Sequence, residues 1–374
     1  MANGRLVEPD VKFINDVIQT GGSSLKKCFQ CATCSVVCPL SPEDDPFPRK
    51  HMILAQWGQK QALIKDRAIW LCHNCNDCSH YCPRGARPGD VLGAIRAFAI
   101  EEYATPKWLA RFVRQPKNLF VLFVIPIVLF LIIALLNGTL PPKSPEIKPH
   151  NFIPVITGVD IVFVPLALLL VISLFKSLSR LWKDMSVGLE PPSAYQMLLK
   201  GGWWGIIVSS LKEILLHERF RKCGAAKERT VPHLLLLWSF IGLAIVTAYV
   251  FVAEDIFHAE CPFPLSHPIK LLANLSAIAL LIGIFWLAKN RLADKDSVST
   301  GWDWSLIFVI MAVGVTGVLA EVFRLAEVAF LAYGFYLLHL SSVFVLFIYL
   351  PFSKFAHLAY RTLAYIHEKY YSKV

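Results

Sequence analysis

From residue 119 onward, long apolar runs alternate with short polar links, whereas residues 1–118 mix polar and apolar positions in the manner of a water-facing domain. A bilayer core is crossed by about 20 apolar residues of helix. Six runs reach that scale: 119–136, 155–175, 233–252, 269–287, 304–323 and 330–350. The fifth is rich in small residues and ends in Glu321, which suits packing against protein rather than lipid. In the polar part, 51–65 places Met52, Ile53, Gln56, Trp57 and Leu63 at helical spacing. Residues 90–103 predict a second helix, capped by Asp90 after the turn formers Pro88 and Gly89, and 9–19 a third, ended by Gly21 and Gly22. Between the second and third apolar runs, 194–217 is mildly amphipathic around Trp203 and Trp204, as for an interfacial helix or a docking surface. The pattern gives a mainly α chain: a helical N-terminal domain over 1–110 and a six-helix transmembrane bundle over 111–374.

Composition sharpens this picture. Of 374 residues, 55% are hydrophobic and 17% charged, with a net charge of +10. The excess of Lys and Arg follows the positive-inside pattern of a membrane protein and does not call for nucleic acid. Lys183, Arg219, Arg221, Lys222 and Arg229 lie in the long link; Lys289, Arg291 and Lys295 follow the fourth run; Lys354 and Arg361 follow the sixth. The opposite side has Lys143 and Lys148, then Glu254, Asp255 and Glu260. With six spans, both termini face the cytoplasm from a multi-pass cytoplasmic (inner) membrane protein. The N-terminal residues show no apolar core and cleavage site of a signal peptide.

Eight of the ten cysteines fall in two groups of the form C-x2-C-x2-C-x3-C-P: Cys28, Cys31, Cys34, Cys38 with Pro39, and Cys72, Cys75, Cys78, Cys82 with Pro83. In a reducing compartment such spacing points to metal rather than disulfides. Zinc sites use paired C-x2-C units and have no need of a third cysteine at the same interval. In the two-cluster ferredoxin run the fourth cysteine serves the other cluster. Cys28, Cys31, Cys34 and Cys82 are therefore expected to hold one [4Fe–4S] cluster, and Cys38, Cys72, Cys75 and Cys78 the other. Arg84, Arg87 and Arg96 follow the second group; Arg84 and Arg87 either offset cluster charge or dock a partner, or the basic residues form a solvated edge. His73 and His80 are expected beside the clusters or at the surface. Cys223 and Cys261 stand alone and receive no role.

Histidines at the ends of the apolar runs supply the second candidate chemistry. His339 and His357 are separated by 18 positions, roughly 27 Å along a continuous helix. His233 opens the third run level with His357, and His267 opens the fourth level with His339, with His258 nearby. Paired axial imidazoles suit haem iron used for electron transfer. One haem b is expected between His233 and His357, and a second between His339 and either His267 or His258. No C-x-x-C-H motif for covalent haem attachment is present. Glu254, Asp255, Lys270 and Glu321 cluster at the outer ends of the runs, where a quinol would release protons on oxidation.

The double cysteine domain resembles the C subunit of heterodisulfide reductase. The stretch YLLHLSSVFVLFIYLPFSKFAHLAY, from Tyr336 to Tyr360, resembles the last haem-bearing helix of the respiratory nitrate reductase gamma subunit. The fusion of the two is similar to the C subunits of the quinone-interacting membrane-bound oxidoreductases of sulfate-reducing microbes. The resemblance implies a two-cluster ferredoxin domain on a cytochrome b-like bundle, relaying electrons between menaquinone, haem b and the clusters. It also implies two flavin and iron–sulfur partner subunits, with adenylylsulfate reductase as acceptor. In the gamma-subunit pattern the ligand helix carries two histidines ten residues apart. His233 matches the first, and Leu243 stands at the second. Two alternatives remain: a membrane subunit of a heterodisulfide- or sulfite-linked complex, and a haem-free anchor for a ferredoxin domain.

Overall fold

The computed structural model describes residues 8–43, 45–142, 146–224, 227–294 and 298–372. Lys143 and Lys295, used above for orientation, lie outside the described residues. Within them the regular structure is helical throughout.

The N-terminal part opens with α1 (Val11–Gln19), where Asp10 Oδ1 accepts from the Phe13 amide at 2.8 Å and caps the first turn. A four-residue helix, α2 (Thr33–Val36), follows within the first cysteine group. The helix expected over 51–65 is two, α3 (Arg49–Gln56) and α4 (Lys60–Ile64). Gly58 separates them with φ +66°, pressed so close to the Asp10 backbone that a Cβ would fall 2.6 Å from its nitrogen. Next come α5 (Ala68–Leu71), α6 (Asp77–His80) and α7 (Pro88–Tyr103). In α7 Pro88 takes the first position, so Asp90 is inside the helix and not its cap. The basic helix α8 (Lys107–Arg114) leads to the bundle and contains the boundary expected after residue 110.

Among the described residues, six helices are long and apolar enough to cross a membrane, over 116–136, 155–185, 229–256, 268–293, 301–325 and 329–352. Their cores are α9 (Leu119–Leu136), α10 (Ile161–Met185), then, after the amphipathic pair α11 (Ala194–Leu199) and α12 (Gly202–Leu215), α13 (Lys227–Phe251), α14 (Pro268–Ala293), α15 (Gly301–Leu325) and α16 (Ala329–Phe352). A final helix, α17 (His357–Tyr371), runs back along the N-terminal part. Helix α13 packs on α14, α14 on α15, α15 on α16, and α16 on α9 and α10. Small residues bring these backbones together. Gly242 lies against Ser276, Gly283 against Pro232 and Leu236, and Gly314 against Leu280 and Leu281. The small residues of the fifth run thus serve helix contacts, while Phe120, Ile161, Phe175, Leu275 and Phe330 on other faces stay exposed.

His339 and His357 do not share one helix. Pro351 leaves the Phe347 carbonyl without its backbone donor. Ser353 then turns extended, and its Oγ accepts from the Phe355 amide at 3.1 Å to start the next turn. The 27 Å relation drawn from a continuous helix therefore does not apply. Charges pin this break: Asp303 of α15 pairs with Lys354 at 2.6 Å and Arg291 of α14 at 2.7 Å, while its carboxylate also accepts from the Thr300 amide.

The two halves share one core. Phe47, Met52, Ile69, Trp70 and Ile95 of the N-terminal part pack in the same cluster as Leu181, Met185, Tyr360 and Ala364. The Trp70 and Tyr360 rings lie 4.6 Å apart.

Candidate functional site

The two cysteine groups fold alike because their backbones turn left-handed at the same places. Gln30 and Ala32 have φ of 61° and 70°; Asn74 and Asn76, at the matching positions, have 54° and 70°. Each loop then enters a four-residue helix that carries the third cysteine, Cys34 in α2 and Cys78 in α6. Two small cavities result. One is lined by Cys28, Cys31, Cys34 and Cys82; the other by Cys38, Cys72, Cys75 and Cys78. Each takes three thiols from its own motif and the fourth from the other.

The donor sets fit a cation. Burial pushes the Cys34 thiol up to about 11, with the facing Cys28, Cys31 and Cys82 adding to the effect. Burial pushes Cys38 up to about 12, with Cys72 and Cys75 opposing its ionisation. Four thiolates cannot face one cavity unless a positive centre removes that repulsion, and metal binding displaces thiol protons. Polar groups already point at the sulfurs: the Asn74 amide donates to Cys72 Sγ and Gln30 Nε2 to Cys28 Sγ, both at 3.4 Å. Cys31 is exposed, beside exposed Phe29 and Tyr81, so the first cavity lies at the surface. The second is deeper.

Cys223, which stands alone in sequence, is fully buried here, with Sγ, Cys75 Sγ and an Asp77 carboxylate oxygen within 4.8 Å of one another. The Gly224 amide donates to Asp77 Oδ2 at 3.0 Å. The link before α13 thus packs against the second cysteine group.

The basic residues after the second group separate into different roles. Arg84 lies 4.2 Å over the Phe29 ring. Arg87 donates to Asp90 at 2.8 Å. Arg96 is buried and donates to the carbonyls of Ile69 and Cys72 at 2.9 and 3.2 Å. His73 meets the Tyr365 hydroxyl at 2.7 Å, while His80 is exposed against Tyr81.

A cavity of about 300 Å3 lies between the second cysteine loop and the bundle. His233 and His357 both line it, as do His73, Lys354, Arg361 and an imidazole not anticipated from the sequence, His217. His357 Nδ1 is 2.6 Å from the Lys354 carbonyl and His217 Nδ1 is 2.9 Å from that of Ile214. With Nδ1–H donating in this way, Nε2 keeps a free lone pair, the arrangement a metal-bound imidazole requires. Burial, with Arg361 adding, holds His357 well below the ordinary imidazole range, hence neutral. The His233 ring stands 6.3 Å from His217 and 5.7 Å from Phe220, whose ring is 5.5 Å from His73. These residues fit a haem held by His357 and a second imidazole.

The outer candidates are less gathered. His339 sits against Gly317 of α15, with Nδ1 3.1 Å from the Val313 carbonyl. His267 stacks on Phe263 at 4.6 Å, and its Nδ1 accepts from the Ile269 amide, leaving Nε2 as the protonated nitrogen. That tautomer does not present a lone pair to iron. His258 is exposed, in a left-handed turn. Lys270 and Glu321 pair with each other at 2.6 Å, and Glu254 and Asp255 lie beside Asp160.

Comparison with known proteins divides the chain in the same two places. The family described as Citrate utilization protein B matches residues 114–373, and the 4Fe-4S dicluster domain family matches residues 24–86. The C subunit of the H(2):CoB-CoM heterodisulfide,ferredoxin reductase of Methanothermobacter thermautotrophicus is 38% identical over 88 residues, covering 23% of this chain and 47% of that protein. A protein of Archaeoglobus profundus, described as like the C subunit of heterodisulfide reductase, is 36% identical over 87 residues, 23% of this chain and 46% of that protein. The C subunit of the ferredoxin:CoB-CoM heterodisulfide reductase of Methanosarcina acetivorans is 28% identical over 95 residues, 25% of this chain and 38% of that protein. The chain thus spans about half the length of the first of these curated relatives. No solved structure matches it.

Proposed function

This chain belongs to the citrate utilization protein B family, and from that premise we propose that it is the membrane subunit of a heterodisulfide-linked redox complex. Electron transfer at a membrane is common ground: six apolar helices, a 4Fe–4S domain and relatives of the heterodisulfide reductase C type point there together. The observation that carries the finer reading is the crossed membership of two four-cysteine cavities, the deeper of which adjoins a histidine-lined cavity.

Cys28, Cys31, Cys34 and Cys82 would hold one [4Fe–4S] cluster, and Cys38, Cys72, Cys75 and Cys78 the other. His357 and His233 would hold a haem b. When bound, these groups supply one-electron exchange. The left-handed turns keep four thiolates converging on each site, and the Lys354 carbonyl fixes the His357 tautomer. Electrons would then pass from the histidine-lined cavity through the two clusters to the exposed Cys31 edge, where flavin and iron–sulfur partner subunits would dock. At the other end of the bundle, Glu254, Asp255 and the Lys270–Glu321 pair are suited to receive protons from a menaquinol.

The relatives favour a heterodisulfide-linked acceptor, since their names carry that activity. The adenylylsulfate-linked version has only the resemblance of the fused domains behind it. A haem-free anchor leaves unexplained why His357 and His217 both engage Nδ1 with carbonyls and line one cavity. Anaerobic isolation of the tagged chain from native membranes tests the reading. A heterodisulfide reductase-type catalytic subunit should accompany it, and a heterodisulfide should reoxidise the reduced chromophores. Reoxidation by adenylylsulfate, with its reductase attached and no response to the disulfide, would overturn the reading.

A further inference from the structure

Helix α17 carries His357, Arg361 and Tyr365 at intervals of four, so the three share one face. All three line the histidine cavity, and the last two also grip the second cysteine loop. Arg361 donates from Nε to the Trp70 carbonyl at 3.0 Å and from Nη2 to the Cys72 carbonyl at 2.9 Å. Tyr365 meets His73 at 2.7 Å. Arg96, from α7, reaches the same Cys72 carbonyl from the other side at 3.2 Å.

Among the described residues, neither guanidinium has a carboxylate within ion-pair distance. Half-buried arginines elsewhere do: Arg219 pairs with Glu213 and Glu368, and Arg291 with Asp303. A charge withdrawn from water without a counter-charge is costly. Buried Arg96 and half-buried Arg361 converging on one carbonyl call for an anion close by. A thiolate-bound cluster in the cavity of Cys38, Cys72, Cys75 and Cys78 has the right sign and the right place. The first cysteine cavity differs. Arg49 and Arg84 line it, beside the exposed Cys31, where water screens their charge.

We propose that Arg361 is the counter-charge and positioning residue of the second cluster, tying its loop to the helix that begins with His357. This rests on the assignment of the two clusters made above. A fixed cation beside the cluster favours its more negative, reduced state, so Arg361 raises its midpoint potential relative to the same site without it. Because the residue sits one turn from His357, it also fixes the spacing between the histidine cavity and the cluster. Arg361 touches no reacting atom. It acts through the Cys72 backbone and through its field.

The test is an EPR-monitored redox titration of the anaerobically purified full chain and its R361Q, R361K and Y365F variants. R361Q should shift the oxidised-to-reduced ratio of one cluster, at fixed potential, about tenfold toward oxidised, or 59 mV for a one-electron couple, leaving the other cluster unchanged. R361K keeps the charge and should stay within about threefold, and Y365F, which removes a neutral group, should leave both potentials in place. Unchanged potentials in R361Q with both clusters present would overturn the inference alone, as would an equal shift in both clusters. Should R361Q lose the cluster, R361K decides: a shift as large as that of full charge removal would overturn the role of charge. Absence of two clusters from the unsubstituted chain would overturn the functional reading and this inference with it.

Discussion

Cys82 belongs to the second motif in sequence, yet it lines the cavity of the first, and Cys38 does the reverse. The exchange follows from the extra residue before each fourth cysteine, and that much was legible from spacing alone. If the cavities hold clusters, Cys82→Ala should remove the cluster whose other ligands are Cys28, Cys31 and Cys34, cutting non-haem iron by about half. Loss of the signal that Cys75→Ala removes would instead mean uncrossed ligation. The histidines were legible less evenly. His233 and His357 stood out because apolar runs begin or end there. His217 and Cys223 did not, because each reaches its place through a contact between a link and a distant loop, and no local pattern encodes such a contact. His357→Ala should abolish the inner haem, read as haem b per chain, whereas His217→Ala should leave it bound. The opposite result would make His217 the axial residue.

At the scale of elements, the apolar runs located the six long helices because lipid-facing sequence has few competing readings. Their ends were less legible. The expected helix over 51–65 divides at Gly58, where the turn depends on the Asp10 backbone nearby. The break between α16 and α17 depends on Pro351 and Ser353 together with the charges that hold Lys354. Asp303, 9% exposed in its side chain, bonds three elements at once through Lys354, Arg291 and Thr300. Asp303→Asn should cost about 2 kcal/mol, since it leaves two cations without their partner while Lys354 stays partly hydrated. A lower unfolding temperature in detergent is the readout, and an unchanged one would show that the network contributes nothing to stability. The same variant should disturb the His357 tautomer, because Lys354 supplies the carbonyl that His357 Nδ1 meets.

Across the whole molecule, the N-terminal part and the bundle behave as one packed object at their junction. Trp70, flanking the second cysteine group, lies on Tyr360 of the last helix, and the core continues through Leu181 and Met185 of α10. Sequence periodicity separated a polar half from an apolar half, but it carries no sign of a core shared between them. Removing residues 353–374 should therefore cost the second cluster before the first, with iron and sulfide content as the measure; equal loss of both would contradict this. We propose from the charge pattern of the links that both termini lie on one side of the membrane. A topology reporter fused after residue 138 should report the opposite side from one fused at the C-terminus, and identical readings would remove a span from the count.

The most direct test of the account is the cofactor content of the anaerobically purified chain, taken as non-haem iron, acid-labile sulfide and haem b per polypeptide in one preparation. About eight irons and about eight sulfides are expected, as two [4Fe–4S] clusters require, together with at least one haem b. Zinc in place of iron, or iron without haem in cells well supplied with haem, would contradict it.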